Sequence, residues 1–281
     1  MEGRGLRLKD KHMFDKASNI LILLATLLSS LLPFCSAQGK NTQFGYLEGS
    51  DNGPDQRAKI NPDWKVCGDG KMKSPIEILW TRVQVSSGLG KLVRDHKPAP
   101  AALKNRGHDI DVTWMEDAGV INIEGTDYSL KSCHWHSPSE HTFTGLRYLL
   151  ELHMVHSSSD GKVAVVGIVY RYGRPDPFLA KLVPYLNSVG TTGKDVGIIN
   201  PREINFPSKG YYRYMGSLTT PRCTEGVTWT IIKEAGVVSR AQMRALRKAV
   251  EPGYEANARP IQQLNNRTVL LYTPWVIEDS N

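Results

Sequence analysis

The chain has 281 residues, of which 40% are hydrophobic and 22% charged, and its formal net charge is +7 at pH 7. This length is enough for one large domain. The excess of basic residues is mild and spread along the chain, with no run of Lys or Arg interleaved with aromatic residues. The sequence therefore does not predict nucleic-acid binding, and a solvated basic surface accounts for the charge.

The first 37 residues predict a targeting segment. Residues 1–19 are polar and basic, and a continuous apolar run follows over 20–35. The run is shorter than the roughly 20 residues of a membrane span, and Ser36-Ala37 offers small residues for cleavage before Gln38. We expect a secretory signal at 1–37, one mature domain over 38–281 and no stable membrane span after cleavage. A retained anchor is the alternative.

The predicted destination is the secretory pathway, with an extracellular or cell-wall protein as the product. Because the basic region before the apolar run is long, a plastid destination (stroma or thylakoid lumen) stays open.

Strand-like segments separated by turn residues dominate the chain after residue 80. The segment 38–80 is rich in Gly, Pro, Asn and Asp and is predicted to be irregular. Amphipathic helices are expected over 178–187 and over 240–250, with Ser239 as the N-cap of the second. Many strands with few helices favour one mainly antiparallel sheet. The predicted strands are 110–114, 120–123, 128–133, 149–155, 163–170 and 269–271.

The histidines are concentrated in one region. The chain has eight, and six of them lie at position 108 or within 134–156. Alternate strand residues share a face, so His134 and His136 project together, about 6–7 Å apart. Glu151 and His153 share a face of the strand 149–155 in the same way. If these strands pair antiparallel, three imidazoles lie on one side, with Trp135 on the other.

Three imidazoles with one open position are the ligand set of a catalytic zinc site. An isolated His-x-His pair, however, is more often an ordinary surface feature. A third histidine beside a glutamate, inside an apolar strand, favours the metal site because buried polar groups need partners.

Several further motifs, in the same order along the chain, resemble the α-type carbonic anhydrases, specifically their plant branch. The resemblance covers about 44–275. The matching motifs are Tyr46, Asn52-Gly53-Pro54, Trp64-Lys65-Val66-Cys67, Ser74-Pro75-Ile76, Asn105-Arg106-Gly107-His108, the run 134–141, Glu151-Leu152-His153-Met154-Val155-His156, Gly216-Ser217-Leu218-Thr219-Thr220-Pro221, Val227-Thr228-Trp229 and Asn257-Ala258-Arg259-Pro260.

The resemblance implies a mainly β fold with α+β character at the periphery. It implies a single catalytic domain built on a large, mostly antiparallel, twisted central sheet, with a conical cleft that contains zinc. The implied activity is reversible hydration of CO2 to bicarbonate and a proton by a zinc-bound hydroxide, and sulfonamides and anions are the expected inhibitors. A monomer or a dimer is expected.

A carbonic-anhydrase-like storage, nectar or binding protein with weak or no catalysis is the alternative. An unrelated zinc hydrolase is not favoured, because the chain has neither a nucleophile elbow nor a His-Glu-x-x-His motif.

The resemblance also implies roles for single residues. The implied zinc ligands are His134, His136 and His153. Glu151 and Ser132 lie at the positions from which family members hydrogen-bond to the ligating histidines. The implied catalytic residues are Glu140 and Thr219, which form a hydrogen-bond relay, Thr220 beside them, and His108 as proton shuttle. Val155, Val165, Leu218 and Trp229 match the apolar CO2 pocket.

The cysteines and one glycosylation motif complete the predictions. The resemblance implies a disulfide between Cys67 and Cys223, which an oxidising compartment permits. Cys133 precedes His134 and points away from the histidine face, so we expect a buried thiol. Asn266 begins an Asn-Arg-Thr glycosylation motif.

Four positions depart from the family pattern. Arg57 stands where the family usually has Trp, and Lys73 stands where it has Gln. Ser132 also replaces a Gln, and its shorter side chain puts the orientation of His134 in question. Arg222 replaces the second Pro after Thr219-Thr220, where the family commonly has a cis bond, and we expect lower activity or stability from this change.

Overall fold

The structure is a computed structural model that describes residues 43–274. The predicted targeting segment 1–37 lies outside the described residues, and the predicted domain 38–281 is described from 43 to 274. Every helix within the described range is too short or too polar to cross a membrane.

Sixteen strands and four α-helices lie in this part of the chain. The strands are β1 (Glu77–Ile78), β2 (Val83–Val85), β3 (Val93–His96), β4 (Ala99–Asn105), β5 (Ile110–Trp114), β6 (Gly119–Ile123), β7 (Thr126–His136), β8 (Thr142–Phe143), β9 (Leu146–Arg147), β10 (Leu150–Ser157), β11 (Val163–Tyr172), β12 (Lys194–Ile199), β13 (Tyr211–Ser217), β14 (Glu225–Ile232), β15 (Gly236–Val238) and β16 (Val269–Tyr272). The helices are α1 (Arg57–Ile60), α2 (Val66–Asp69), α3 (Pro177–Leu186) and α4 (Arg240–Ala249). Short 3-10 helices lie at Pro54–Gln56, Pro62–Trp64, Trp80–Arg82, Ser87–Leu89 and Pro201–Glu203.

Thirteen of the strands form one sheet, whose main path runs β12-β4-β5-β7-β10-β11-β14-β13-β16-β2. At its centre β10 pairs antiparallel with both β7 and β11. The predicted large, mostly antiparallel sheet is therefore confirmed. The sheet is mixed, however, because β11 pairs parallel with β14 and β15, and β16 pairs parallel with β2. β1, β8 and β9 form a separate small sheet.

The predicted strands are all present; β5 has the predicted bounds, and the others have shifted ends. β7 is longer than expected and runs through both histidines of the His-x-His motif. β13 and β14 are not among the predicted strands, and their side chains are buried on both faces over much of their length. Such strands lack the polar–apolar alternation that signals a half-exposed strand.

Both predicted long helices form, and each begins at a capping side chain. Asp176 accepts a hydrogen bond from the Leu179 amide at the start of α3. Ser239 and Gln242 form a capping box at the start of α4, in which each side chain bonds to the other residue's backbone amide. Gln242 also bonds to both the amide and the carbonyl of Asp176, which ties the two helix starts together.

The two faces of β7 and β10 meet different environments. Cys133, Trp135, Leu152 and Met154 belong to the large apolar core, which α3 and α4 cover through Phe178, Leu182, Met243 and Leu246. The alternate residues of the same strands point to the opposite face and include the clustered histidines. The two-residue period of the strand thus separates the core from the site.

Candidate metal centre

Three buried histidines converge where β7 and β10 pair. His153 lies directly opposite His134 in the register, and Glu151 lies opposite His136. One ring nitrogen from each of His134, His136 and His153 lies within 4.8 Å of the others. The ring centroids of His136 and His153 are 4.6 Å apart, and those of His134 and His153 are 5.4 Å apart. The pairing brings together the three predicted ligands.

His136 has a tautomer that leaves one nitrogen free for a cation. Its Nδ1 lies 2.8 Å from the carbonyl oxygen of Asn257, which can only accept, so Nδ1 carries the proton. Nε2 is then a bare acceptor, and it is buried with no hydrogen-bond partner among residues 43–274. A buried lone pair without a donor is costly, and three imidazole nitrogens suit Zn²⁺. The residues present therefore fit a metal ion.

Glu151 orients His153. Its Oε1 lies 2.9 Å from His153 Nε2, while its Oε2 accepts the backbone amides of Glu140 and His141, each at 2.9 Å. Burial by itself would raise the pKa of Glu151, but the adjacent His141 and His153 hold that pKa well below its usual value. The carboxylate leaves His153 Nδ1 as the nitrogen that faces the other two ligands.

A buried hydrogen-bond chain behind Glu151 was missed from the sequence. His141 Nδ1 lies 2.7 Å from Glu151 Oε1, and its Nε2 lies 2.7 Å from the hydroxyl of Tyr214. That hydroxyl is 2.8 Å from Ser74 Oγ. His141 was visible in the histidine-rich run, but its partners are distant in sequence and no local pattern points to them.

His134 is held differently from the other two. Burial, followed by the positive charge of Arg106, lowers the pKa of His134 well below its usual value. Its Nδ1 is buried and has no hydrogen-bond partner in the described part of the chain. Ser132 makes no hydrogen bond to it within that part, which agrees with the short reach expected of a hydroxyl at this position. The nearest acidic atom is Asp111 Oδ1, at 4.0 Å.

Glu140 and Thr219 are both buried, and Glu140 lies beside the histidines, with its Oε1 3.6 Å from His136 Nδ1. Glu140 Oε1 accepts the backbone amide of Arg259 at 2.8 Å, and Oε2 is buried with no partner within residues 43–274. Arg57 donates to the Thr219 carbonyl at 2.8 Å. The predicted bond from the Thr219 hydroxyl to Glu140 is not among the hydrogen bonds of the described residues and stays a prediction. Thr220 is partly buried next to Thr219.

His108 is connected to the cluster through Asn257. The Asn257 amide donates to the His108 carbonyl at 2.7 Å, while the Asn257 carbonyl accepts from His136. The His108 ring packs 4.9 Å from the Phe44 ring, and its Nε2 lies 3.5 Å from Asp109 Oδ2. Burial lowers the pKa of His108, Asp109 opposes this effect, and Arg106 adds to it. About a fifth of the side chain (19%) remains exposed to solvent.

The sequence profile of the eukaryotic-type carbonic anhydrases matches residues 53–273. The chain belongs to this family. It is 49% identical to alpha carbonic anhydrase 4 of Arabidopsis thaliana over 235 residues, which is 84% of this chain and 88% of the relative. It is also 46% identical to dioscorin DB3L of Dioscorea polystachya over 252 residues, which is 88% of this chain and 93% of the relative.

A solved carbonic anhydrase structure supports the same fold. The α-carbonic anhydrase of Thermovibrio ammonificans, in complex with the inhibitor sulfanilamide, superposes with a TM-score of 0.73 at 31% identity, covering 82% of this chain and 99% of that protein.

The four residues predicted to form the carbonic anhydrase CO2 pocket lie in one apolar cluster. Val165 and Trp229 are buried in it, and Val155 and Leu218 pack against it. The Trp229 ring lies 4.8 Å from the ring of His153, so the cluster adjoins the third histidine.

The Cys67–Cys223 disulfide is present and joins two residues with a sequence separation of 156. It anchors the loop after Thr219, in which the Cys223 amide donates to the Thr220 carbonyl. Cys133 is a buried free thiol, as predicted. Asn266 is exposed, and its use for glycosylation stays a prediction.

The departures from the carbonic anhydrase pattern have different surroundings. Arg57 is fully buried. Lys73 reaches back to the Gly68 carbonyl at 2.7 Å, and burial lowers its pKa. Arg222 follows a cis peptide bond from Pro221, and its exposed guanidinium lies 3.4 Å from Asp63.

Proposed function

We propose that the chain is a zinc-dependent carbonic anhydrase that hydrates CO2 reversibly to bicarbonate and a proton. The observation that carries the proposal is the convergence of His134, His136 and His153, with the unprotonated Nε2 of His136 buried and unpartnered among the described residues. This is the ligand set of a catalytic zinc site with an open position for water.

These histidines would hold zinc, which when bound would supply a water of near-neutral pKa, the behaviour for which carbonic anhydrase is the standard example. The protein's part is to fix each imidazole. The Asn257 carbonyl fixes the tautomer of His136, and Glu151 fixes that of His153. Both contacts leave the opposite ring nitrogen free to bind the metal.

Thr219 and Glu140 are proposed to orient the reacting water. Glu140 Oε2 is a buried acceptor without a partner in the described chain. If the Thr219 hydroxyl donates its proton to this oxygen, it offers only a lone pair to the water and holds the nucleophile toward CO2. The hydrogen bond from Arg57 to the Thr219 carbonyl supports this placement, since it ties down the backbone of the same residue.

The surroundings suit an apolar substrate and the departure of a proton. CO2 is apolar, and Val155, Val165, Leu218 and Trp229 provide an apolar wall beside His153. His108 is partly exposed to solvent, and an imidazole in such a position can take up a proton and pass it on.

The proposal also covers the inhibitors that the protein should bind and the cellular compartment in which it should act. Sulfonamides and small anions are expected to inhibit, as the sulfanilamide complex of the relative suggests. The disulfide supports a secretory route with an extracellular or cell-wall destination. A storage, nectar or binding protein with weak or no catalysis is the second candidate, since the chain is also similar to dioscorin DB3L.

Stopped-flow CO2 hydration on the purified protein tests the proposal, with zinc content measured on the same sample. We expect hydration that a sulfonamide inhibits, one zinc per chain, and loss of both in His136→Ala. Circular dichroism of His136→Ala controls for folding. A folded, zinc-loaded protein that does not hydrate CO2 would establish the second candidate instead.

A further inference from the structure

The side chains of Asp111 and His134 face each other with unmet hydrogen-bonding capacity. The two residues are partners across β5 and β7. Asp111 Oδ1 and His134 Nδ1 are 4.0 Å apart. Both atoms are buried, and neither has a hydrogen-bond partner among residues 43–274. One is a carboxylate acceptor, and the other is a ring nitrogen that can carry a proton.

We infer that Asp111 is the positioning residue of His134: when zinc binds, a small side-chain rotation closes the 4.0 Å gap, Asp111 accepts the Nδ1 proton, and Nε2 is left to face the metal. This inference rests on the proposed zinc site. His136 and His153 each have such an acceptor, the Asn257 carbonyl and Glu151. Metal-binding histidines almost always donate a hydrogen bond from their second ring nitrogen in this way, so His134 needs an equivalent partner.

Asp111 is better placed for this role than Ser132. Ser132 lies two residues before His134 on the same strand face, yet no hydrogen bond joins the two in the described chain. The Asp111 carboxylate is already oriented, because the Thr113 hydroxyl donates to its Oδ2 at 2.5 Å and leaves Oδ1 toward His134. Arg106 Nη1 lies 3.6 Å from the same Oδ1 and balances its charge. Arg106 is itself held by a two-point contact with Asp109.

The chemical consequence is a stronger zinc ligand. A carboxylate that accepts the Nδ1 proton increases the electron density at Nε2 more than a hydroxyl or an amide does. Loss of such a partner typically weakens metal affinity by about 10–100-fold. In this chain a carboxylate on the neighbouring strand replaces the amide that the family usually carries at position 132.

The test is zinc affinity, measured by competition with a chelator, for the wild-type protein and matched variants. We expect Asp111→Ala to bind zinc about 10–100-fold more weakly. Adding Ser132→Gln to Asp111→Ala should recover most of the loss, because the longer amide side chain approaches His134 from its own strand. As a control, Asp127→Ala removes an exposed carboxylate from β7, the strand that carries His134, and should leave zinc affinity unchanged.

The His134 Nδ1 proton gives a second readout by NMR. In the zinc-loaded wild-type protein its resonance should lie far downfield, and it should move upfield in Asp111→Asn, a variant of nearly the same shape. Zinc binding as tight in Asp111→Ala as in the wild type, or an unmoved resonance in Asp111→Asn, would overturn the inference while leaving the zinc site intact. A wild-type protein that binds no zinc would instead remove the proposed function.

Discussion

Arg57 donates through Nη1 to the carbonyl of Thr219 at 2.8 Å, across 162 residues of sequence. Its Nη2 donates to the Gly45 carbonyl at 3.2 Å. The guanidinium carbon lies 4.7 Å from the centre of the Phe44 ring and 4.9 Å from that of Tyr46. A buried cation thus links the N-terminal segment of the described chain to the loop that carries the predicted water-orienting threonine.

Arg57→Met should lower both stability and turnover. The substitution leaves the carbonyls of Thr219 and Gly45 without donors, and each unsatisfied buried group costs about 1–3 kcal/mol. We expect the free energy of urea unfolding to fall by about 2–6 kcal/mol for the two groups together. We also expect kcat to fall, because Thr219 loses its anchor. Arg57→Lys keeps the positive charge but loses the paired guanidinium donors. Its stability and kcat should lie between those of Arg57→Met and the wild type. An Arg57→Met protein as stable as the wild type would show that desolvation of the guanidinium cancels its hydrogen bonds.

The Cys67–Cys223 disulfide should contribute a large part of the protein's stability against unfolding. It closes a segment of 156 residues, and in the chain-entropy description such a cross-link contributes about 4–5 kcal/mol. Replacing Cys67 and Cys223 together with Ser should lower the denaturant midpoint accordingly. Reduction of the wild-type protein should have the same effect, whereas Cys133→Ala, which removes only the free thiol, should respond to reductant like the wild type.

Two buried histidines outside the candidate metal site should make the protein sensitive to acid. His156 donates through Nδ1 to the Met154 carbonyl, so its Nε2 accepts from His96 Nε2 at 3.1 Å. Burial is the main cause that lowers the pKa of each to about 3; Arg94 and Arg202 add to the effect on His96, and His96 adds to it on His156. Both rings are therefore neutral in the folded protein at neutral pH.

The sign of the pH effect follows from this depression. The unfolded chain takes up protons on these histidines near pH 6.5, about the ordinary histidine value, but the folded chain does so only near pH 3. Stability should fall as the pH drops from about 6.5 toward 3, by at most about 1.4 kcal/mol per pH unit for each histidine. His96→Gln keeps a donor for His156 but removes one titrating group. The slope of stability against pH should therefore become shallower by up to about 1.4 kcal/mol per pH unit, the value for one proton. Its curve should run parallel to the wild type above pH 7, and an equal slope below pH 6 would contradict the prediction.

His108 should matter most when the solution contains little buffer. We expect His108→Ala to reduce kcat for CO2 hydration by roughly 100-fold or more in dilute buffer, because proton transfer loses its positioned acceptor. Added imidazole should restore much of the rate, and kcat/KM should change little. A rate that is unaffected in dilute buffer would assign the proton transfer to another group.

The histidine cluster and the capped helix were predictable because they depend on local periodicity. The two-residue period of a strand places His134 and His136 on one face whatever their partners are. Ser239 and Gln242 show the start of α4 by their spacing alone. The extra length of β7 and the existence of β13 and β14 were not predictable in this way, since strands buried on both faces carry no alternation.

The sequence by itself therefore determined which side chains share a face, and so which histidines can bind one metal ion. Only the tertiary structure decided what stands behind each of them: the Asn257 carbonyl, Glu151 and, by our inference, Asp111. The physical reason is that these contacts depend on strand register and on the packing of distant loops. Arg57 and Thr219 show this most directly, because no pattern along the chain connects two residues that meet only after the sheet has formed.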